Sequence, residues 1–188
     1  MTPALIVVDM INDNVHGPEH LPITAGARAI VPRINRLLEQ AHAGGWPVVF
    51  ACDSFLARDR LLRDSRLAPH ALRGTTGAEP ITELDRQPGD HVLAKRRLSA
   101  FFKTDLDQTL RTCAVDAVLV CGLTTPFCVL ATALDAVSHD FAAIIVEDCC
   151  VAARAEQHEA VLGCYRRSAL GALLQVLPLE RALDEVKS

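Results

Sequence analysis

The sequence holds no C-x-x-C pair, although it has seven cysteines. That absence speaks against a zinc site, and the odd count speaks against a disulfide framework, so a reducing, cytoplasmic setting is expected. It also lacks an apolar run long enough to span a bilayer, and it opens without a basic leader or cleavage site, so no membrane partner is expected. An excess of basic residues is missing too. Lysine and arginine number 19 against 23 acidic residues, for a formal charge of −4 and a pI near 5.9. Nothing there calls for nucleic acid. The basic residues are mixed with acids, as in Arg58-Asp59-Arg60 and Arg63-Asp64-Ser65-Arg66, which reads as a solvated face. Repeats, low-complexity tracts and linkers are absent as well, so residues 1–188 read as a single domain with a full core.

What is present is alternation. Short apolar runs of strand character occur at 4–8, 46–52, 91–94, 115–121, 142–146 and 173–177. Helical spacing is expected between them: from Thr24, read as a cap, to about Gln40, where Gly44-Gly45 stop the chain; from Thr104, read as a cap, to Cys113; from Pro126 to His139; and from Glu156 to Leu170. Met10–Ile23 reads as a polar loop, and Ser54–Gly89 as a long functional loop with short helical pieces. Strands alternating with helices predict an α/β fold, a doubly wound parallel sheet covered on both faces.

The stretch Ala114–His139 organises the rest. An apolar strand stops at Gly122, a short turn follows, and Pro126 suits a first helical turn. Cys128 therefore sits at a helix N-terminus, where free N–H groups and the helix dipole favour a thiolate and can hold an oxyanion. The other six cysteines read as packing residues. Asp9 and Lys95 also stand at the C-terminal ends of strands, the rim on which open α/β sheets gather their chemistry. Singly, each reads as a turn aspartate or a surface lysine. Together they supply a nucleophile, a carboxylate to move its proton, and a cation to hold that carboxylate ionised.

Several segments carry a family resemblance. They are Leu5-Ile6-Val7-Val8-Asp9-Met10, His70 to Glu79, Lys95 to Phe101, Val120 to Val129, Thr132 to Ala136 and Val146-Glu147-Asp148. In these the chain resembles the isochorismatase-like cysteine hydrolases, which include nicotinamidases and N-carbamoylsarcosine amidohydrolase. The resemblance implies a three-layer α/β/α, doubly wound six-stranded parallel sheet and an Asp9–Lys95–Cys128 triad. It also implies a cis peptide at Leu123–Thr124 and an oxyanion hole from the N–H groups of Thr124 and Cys128.

Departures from the family pattern narrow the expectation. Nicotinamidases carry an Asp-x-His pair and a later histidine that bind a metal. Here the pair reads Asp53-Ser54-Phe55, leaving Asp53 and His70 as weak metal candidates, so no metal and no cofactor is expected. Ile11 replaces the family's usual glutamine. Phe55, Leu56, Phe127 and Arg97 are candidates for the substrate pocket. The expected activity is cleavage of a C–N bond in a small amide, carbamoyl or ureido compound through an acyl-cysteine. A vinyl-ether hydrolase of isochorismatase type and a non-catalytic binding protein are the alternatives. The expected partners are a small-molecule substrate and further copies of the chain, in a dimer or tetramer.

Overall fold

The computed structural model describes residues 1–18, 22–65 and 67–187. Residues 19–21 of the expected polar loop and Arg66 of the expected charged face lie outside them. Six strands form: β1 (Pro3–Val8), β2 (Val48–Asp53), β3 (His91–Lys95), β4 (Ala117–Leu123), β5 (Ala142–Val151) and β6 (Leu174–Leu177). They pair in one all-parallel sheet in the order β3-β2-β1-β4-β5-β6. β1, β2 and β4 are buried along their whole length. That burial is why they read as unbroken apolar runs rather than alternating ones.

The helices are α1 (Asn12–Val15), α2 (Pro22–Ala43), α3 (Arg60–Arg63), α4 (Leu106–Thr112), α5 (Leu130–Ser138), α6 (Ala155–Tyr165) and α7 (Leu179–Lys187). α2 lies against β1, β4 and β5, and α7 joins it there, tied by an Arg36–Glu180 ion pair of 2.7 Å. α5 packs on β4 and β5, and α6 on β5 and β6. Right-handed crossovers place this second set on the opposite face. The strand order reverses between β1 and β4, so their C-terminal ends diverge and leave a crevice.

Several local expectations are corrected. Thr24 is not a cap; it lies within α2, buried, and its Oγ1 has no partner among the described residues. α1 interrupts the expected loop after β1, and β5 runs on to Val151, so Glu147 and Asp148 lie inside a strand rather than at its end. Asp148 there accepts a 2.8 Å bond from the Leu179 N–H at the start of α7. α6 stops at Tyr165, short of Leu170. α7 was not anticipated, although Leu179, Ala182, Leu183 and Val186 recur at helical spacing and are all buried. Cys113 and Cys164 are exposed and so are not packing residues. The long loop holds α3 and a 3-10 turn at Thr76–Ala78, and pairs back through the Phe55–Leu72 and Ile11–Pro80 bridges.

Among the described residues, no helix is long and apolar enough to cross a membrane.

Candidate active site

The crevice between β1 and β4 is filled from both banks. Asp9 follows the last residue of β1 with a left-handed backbone, φ 53°. Its carbonyl accepts a 2.9 Å bond from Asn14 Nδ2, and its Oδ1 accepts a 2.7 Å bond from the Asp53 N–H. These two bonds hold a conformation that a side-chain-bearing residue rarely adopts. On the other bank Gly122 has φ 107°, and a Cβ there would stand 2.1 Å from the Val8 carbonyl oxygen. Only glycine lets β4 come this close to the strand that carries Asp9.

Beyond β4 the Leu123–Thr124 peptide is cis. The chain then enters a π turn, Thr125–Val129, before α5. The Thr124 carbonyl accepts from Phe127 at 3.0 Å and from Val129 at 3.3 Å, passing over the N–H of Cys128 between them. Cys128 is therefore in the opening turn, where N–H groups stay free. The turn is braced from two sides. Thr125, fully buried, meets His158 Nδ1 of α6 at 2.8 Å, and burial pushes His158 toward its neutral form. Thr132 of α5 accepts a 3.0 Å bond from the Ala100 N–H.

Lys95 ends β3 and is fully buried. Its Nζ lies 2.9 Å from Asp9 Oδ2 and is also hydrogen-bonded to Asp53, its register partner on β2. The ligand atoms of Asp9, Asp53 and Cys128 all lie within 4.8 Å of one another. Asp9, Lys95 and Cys128, far apart in sequence, thus converge. Asp53 is a fourth member whose contact with Lys95 was not foreseen. The signal was available, since Asp53 ends an apolar strand just as Asp9 does.

Burial works against the Lys95 ammonium, but the carboxylates of Asp9 and Asp53 beside it outweigh that and hold the ammonium above its ordinary value. Asp53, desolvated and facing Asp9, is pushed up to about 7. Burial, with Asp9 beside it, raises the Cys128 thiol well above its ordinary value, and Lys95 only partly opposes this. The expectation of a resting thiolate is corrected accordingly. Cys128 rests as a thiol next to a carboxylate that can take its proton.

Asp9, Asp53 and Cys128 form the floor of a cavity of about 450 Å³, and Lys95 is not part of its lining. Its mouth is apolar: Leu67, Leu98 and Phe127 line it and remain 48%, 38% and 57% exposed. Phe55, buried, lines it with His70, whose ring meets the Phe55 ring edge-on at 5.6 Å. Arg97 does not line it; its guanidinium turns to Asp59 at 3.7 Å, and Arg96 bonds the same carboxylate. Leu56 is likewise outside the lining, its N–H given to Asp59 Oδ2 at 2.9 Å.

The residues present do not fit a resident divalent metal. His70 can offer Nε2 alone, its Nδ1 meeting the Ala68 carbonyl at 2.9 Å, and with Phe55 supplying no ligand and Asp53 held by Lys95 too few protein ligands remain. An ion among Asp9, Asp53 and Cys128 would have to stand against the Lys95 ammonium.

Comparison with known proteins adds to this geometry. The family model described as isochorismatase domain matches residues 3–174. A probable inactive nicotinamidase of Arabidopsis thaliana is 32% identical, over 84% of each chain. The ureidoacrylate amidohydrolase of Variovorax paradoxus is 30% identical, over 77% of this chain and 67% of that one. The crystal structure of N-carbamoylsarcosine amidase from Thermoplasma acidophilum superposes with a TM-score of 0.83 at 33% identity, covering 96% of this chain and 98% of that one.

Proposed function

The chain belongs to the isochorismatase family, and on that premise we propose that it is a cysteine-dependent amidohydrolase. The observation that carries this reading is the cluster of Cys128, Asp9 and Asp53 at the floor of the cavity, with Lys95 bonded to both carboxylates.

In the proposed reaction, Cys128 Sγ attacks the carbonyl carbon while its proton passes to the Asp9 carboxylate. The oxyanion is held by the N–H groups of Thr124 and Cys128. The tetrahedral adduct collapses, the C–N bond breaks, and Asp9 returns the proton to the leaving nitrogen. An acyl-cysteine remains. Water, deprotonated by Asp9, then attacks the thioester; the S–C bond breaks and the thiol is restored with that proton. The balance is amide plus water to carboxylic acid plus amine. Lys95 Nζ, 2.9 Å from Asp9 Oδ2, stands beside the negative charge of that carboxylate between the steps and is itself never required to lose a proton.

A thiol within reach of the carboxylate favours C–N cleavage over vinyl-ether cleavage, which needs an acid but no nucleophile. Free thiols at all seven cysteines suit a cytoplasmic setting. The test is rapid quenching of an amide reaction followed by intact mass and peptide mapping. An acyl adduct on Cys128 is expected, with turnover lost in Cys128→Ala. Hydrolysis at an unchanged rate in Cys128→Ala would refute the reading.

A further inference from the structure

We propose that the substrate is a neutral amide, R–CO–NH2, whose R group is apolar and occupies the mouth of the cavity. The proposal rests on the amidohydrolase reading and goes on to name the substrate's chemistry. Three observations carry it.

The first is the division of the lining. Asp9, Asp53 and Cys128 lie at the buried floor, 2%, 7% and 7% exposed, and His70 is the one other titratable side chain among the described lining residues. The wall above is built by Ile23, Leu61, Leu67, Leu98 and Phe127. An R group leaving water for such a wall gains in proportion to its apolar area.

The second is charge. The described lining contains no arginine and no lysine. The two arginines that follow Lys95 both turn away from the cavity to Asp59, and Lys95 is already shared by two aspartates. Among the described lining residues a substrate carboxylate would meet leucine and phenylalanine, with the His70 imidazole as the one group able to carry positive charge, above a floor with two aspartates. Desolvating it there is opposed on both counts. The chain thus parts from relatives such as the ureidoacrylate amidohydrolase, whose named substrate is itself a carboxylate.

The third is polar complementarity at the amide end. Asn14 lines the cavity, and because its partner is the Asp9 carbonyl, the bonded atom must be Nδ2. Its Oδ1 remains as an acceptor suited to an amide N–H.

The decisive pair of probes is hexanamide and adipamate, which differ by a terminal methyl against a carboxylate. In steady-state assays of the full chain, kcat/KM should rise from acetamide through butyramide to hexanamide by about fourfold per methylene. Adipamate should fall at least about 100-fold below hexanamide. Leu98→Arg, at a surface-exposed wall position, should narrow that ratio by about tenfold or more. A flat chain-length series, or adipamate equal to hexanamide, overturns the proposal. The same pair is titrated calorimetrically into Cys128→Ala, which binds without turnover. If no amide is hydrolysed but hexanamide alone binds, the hydrolase reading fails and the ligand class stands. If adipamate binds as well or better, the ligand class fails whatever the activity.

Discussion

Lys95 and Arg96 are consecutive, and each holds aspartate carboxylate, yet the two ion clusters they form behave oppositely. Lys95 is fully buried and shared by Asp9 and Asp53. The Arg96 side chain is 41% exposed and holds Asp59 with help from Arg97 and the Leu56 N–H. Asp53 is pushed up to about 7 by desolvation and by the charge of Asp9. Asp59 is drawn down to about 2 by its bonds to Arg96 and Leu56. In the first cluster two carboxylates compete for one cation in low dielectric; in the second, two guanidiniums near water serve one carboxylate. The two settings therefore yield a floor whose Asp53 carboxyl is pushed up in one place and a structural latch in the other. The latch ties the turn after Lys95 to the segment whose Leu61 and Leu67 wall the cavity.

Removing the cation from the buried cluster should have the largest effect. Lys95→Met leaves two carboxylates buried without a counter-charge, so turnover is expected to vanish and stability to fall by about 3–5 kcal/mol in urea unfolding. Unchanged stability would mean that the Lys95 cluster is no more demanding than the Arg96 one.

Next comes Asp9→Asn, which keeps the packing but removes the proton acceptor. The expectation is a drop in kcat of about 100- to 10,000-fold with KM little altered. A loss confined to KM would make Asp9 a binding group instead.

Asp59→Asn sharpens the contrast from the other side. It should raise KM modestly through a looser Leu61–Leu67 wall, while kcat at saturation stays near the parent value. Loss of kcat equal to that of Asp9→Asn would erase the distinction between latch and floor.

The smallest effect is the pH dependence of stability, where the two clusters carry opposite signs. Asp53, raised to about 7 in the folded chain, retains a proton that the unfolded chain has released. Its contribution thus makes stability decline as pH rises from the ordinary carboxylate range toward 7. Asp59, lowered to about 2, contributes stability that is present above the ordinary carboxylate range and lost as pH falls toward 2. Urea titrations across pH should show Asp53→Asn removing the first limb and Asp59→Asn the second. Persistence of the neutral limb in Asp53→Asn would assign it elsewhere.

How much of this was legible beforehand depends on the range of the forces involved. Strand positions could be read because a parallel strand buried on both faces must be apolar along its length, as in β1 and β4. The convergence of Asp9, Lys95 and Cys128 on one rim followed from strand ends plus parallel topology. α7 was missed despite its spacing. Thr132 was overlooked as part of the buried face of α5 because a hydroxyl reads as polar until Ala100 is seen donating to it.

By itself, then, the sequence determined six strands alternating with helices and put Asp9 and Lys95 at the C-terminal ends of two of them. It also placed a cysteine in the opening turn of a helix. These follow from local periodicity, turn residues and the direction of the chain. Only the tertiary structure decided that Asp53 shares Lys95, that Cys128 rests as a thiol, that Arg97 turns to Asp59, and that leucines wall the mouth. Each of those depends on burial and charge summed over segments from β1, β2, β3 and β4 at once. Desolvation and Coulomb interactions act between neighbours in space, which no single stretch of sequence contains.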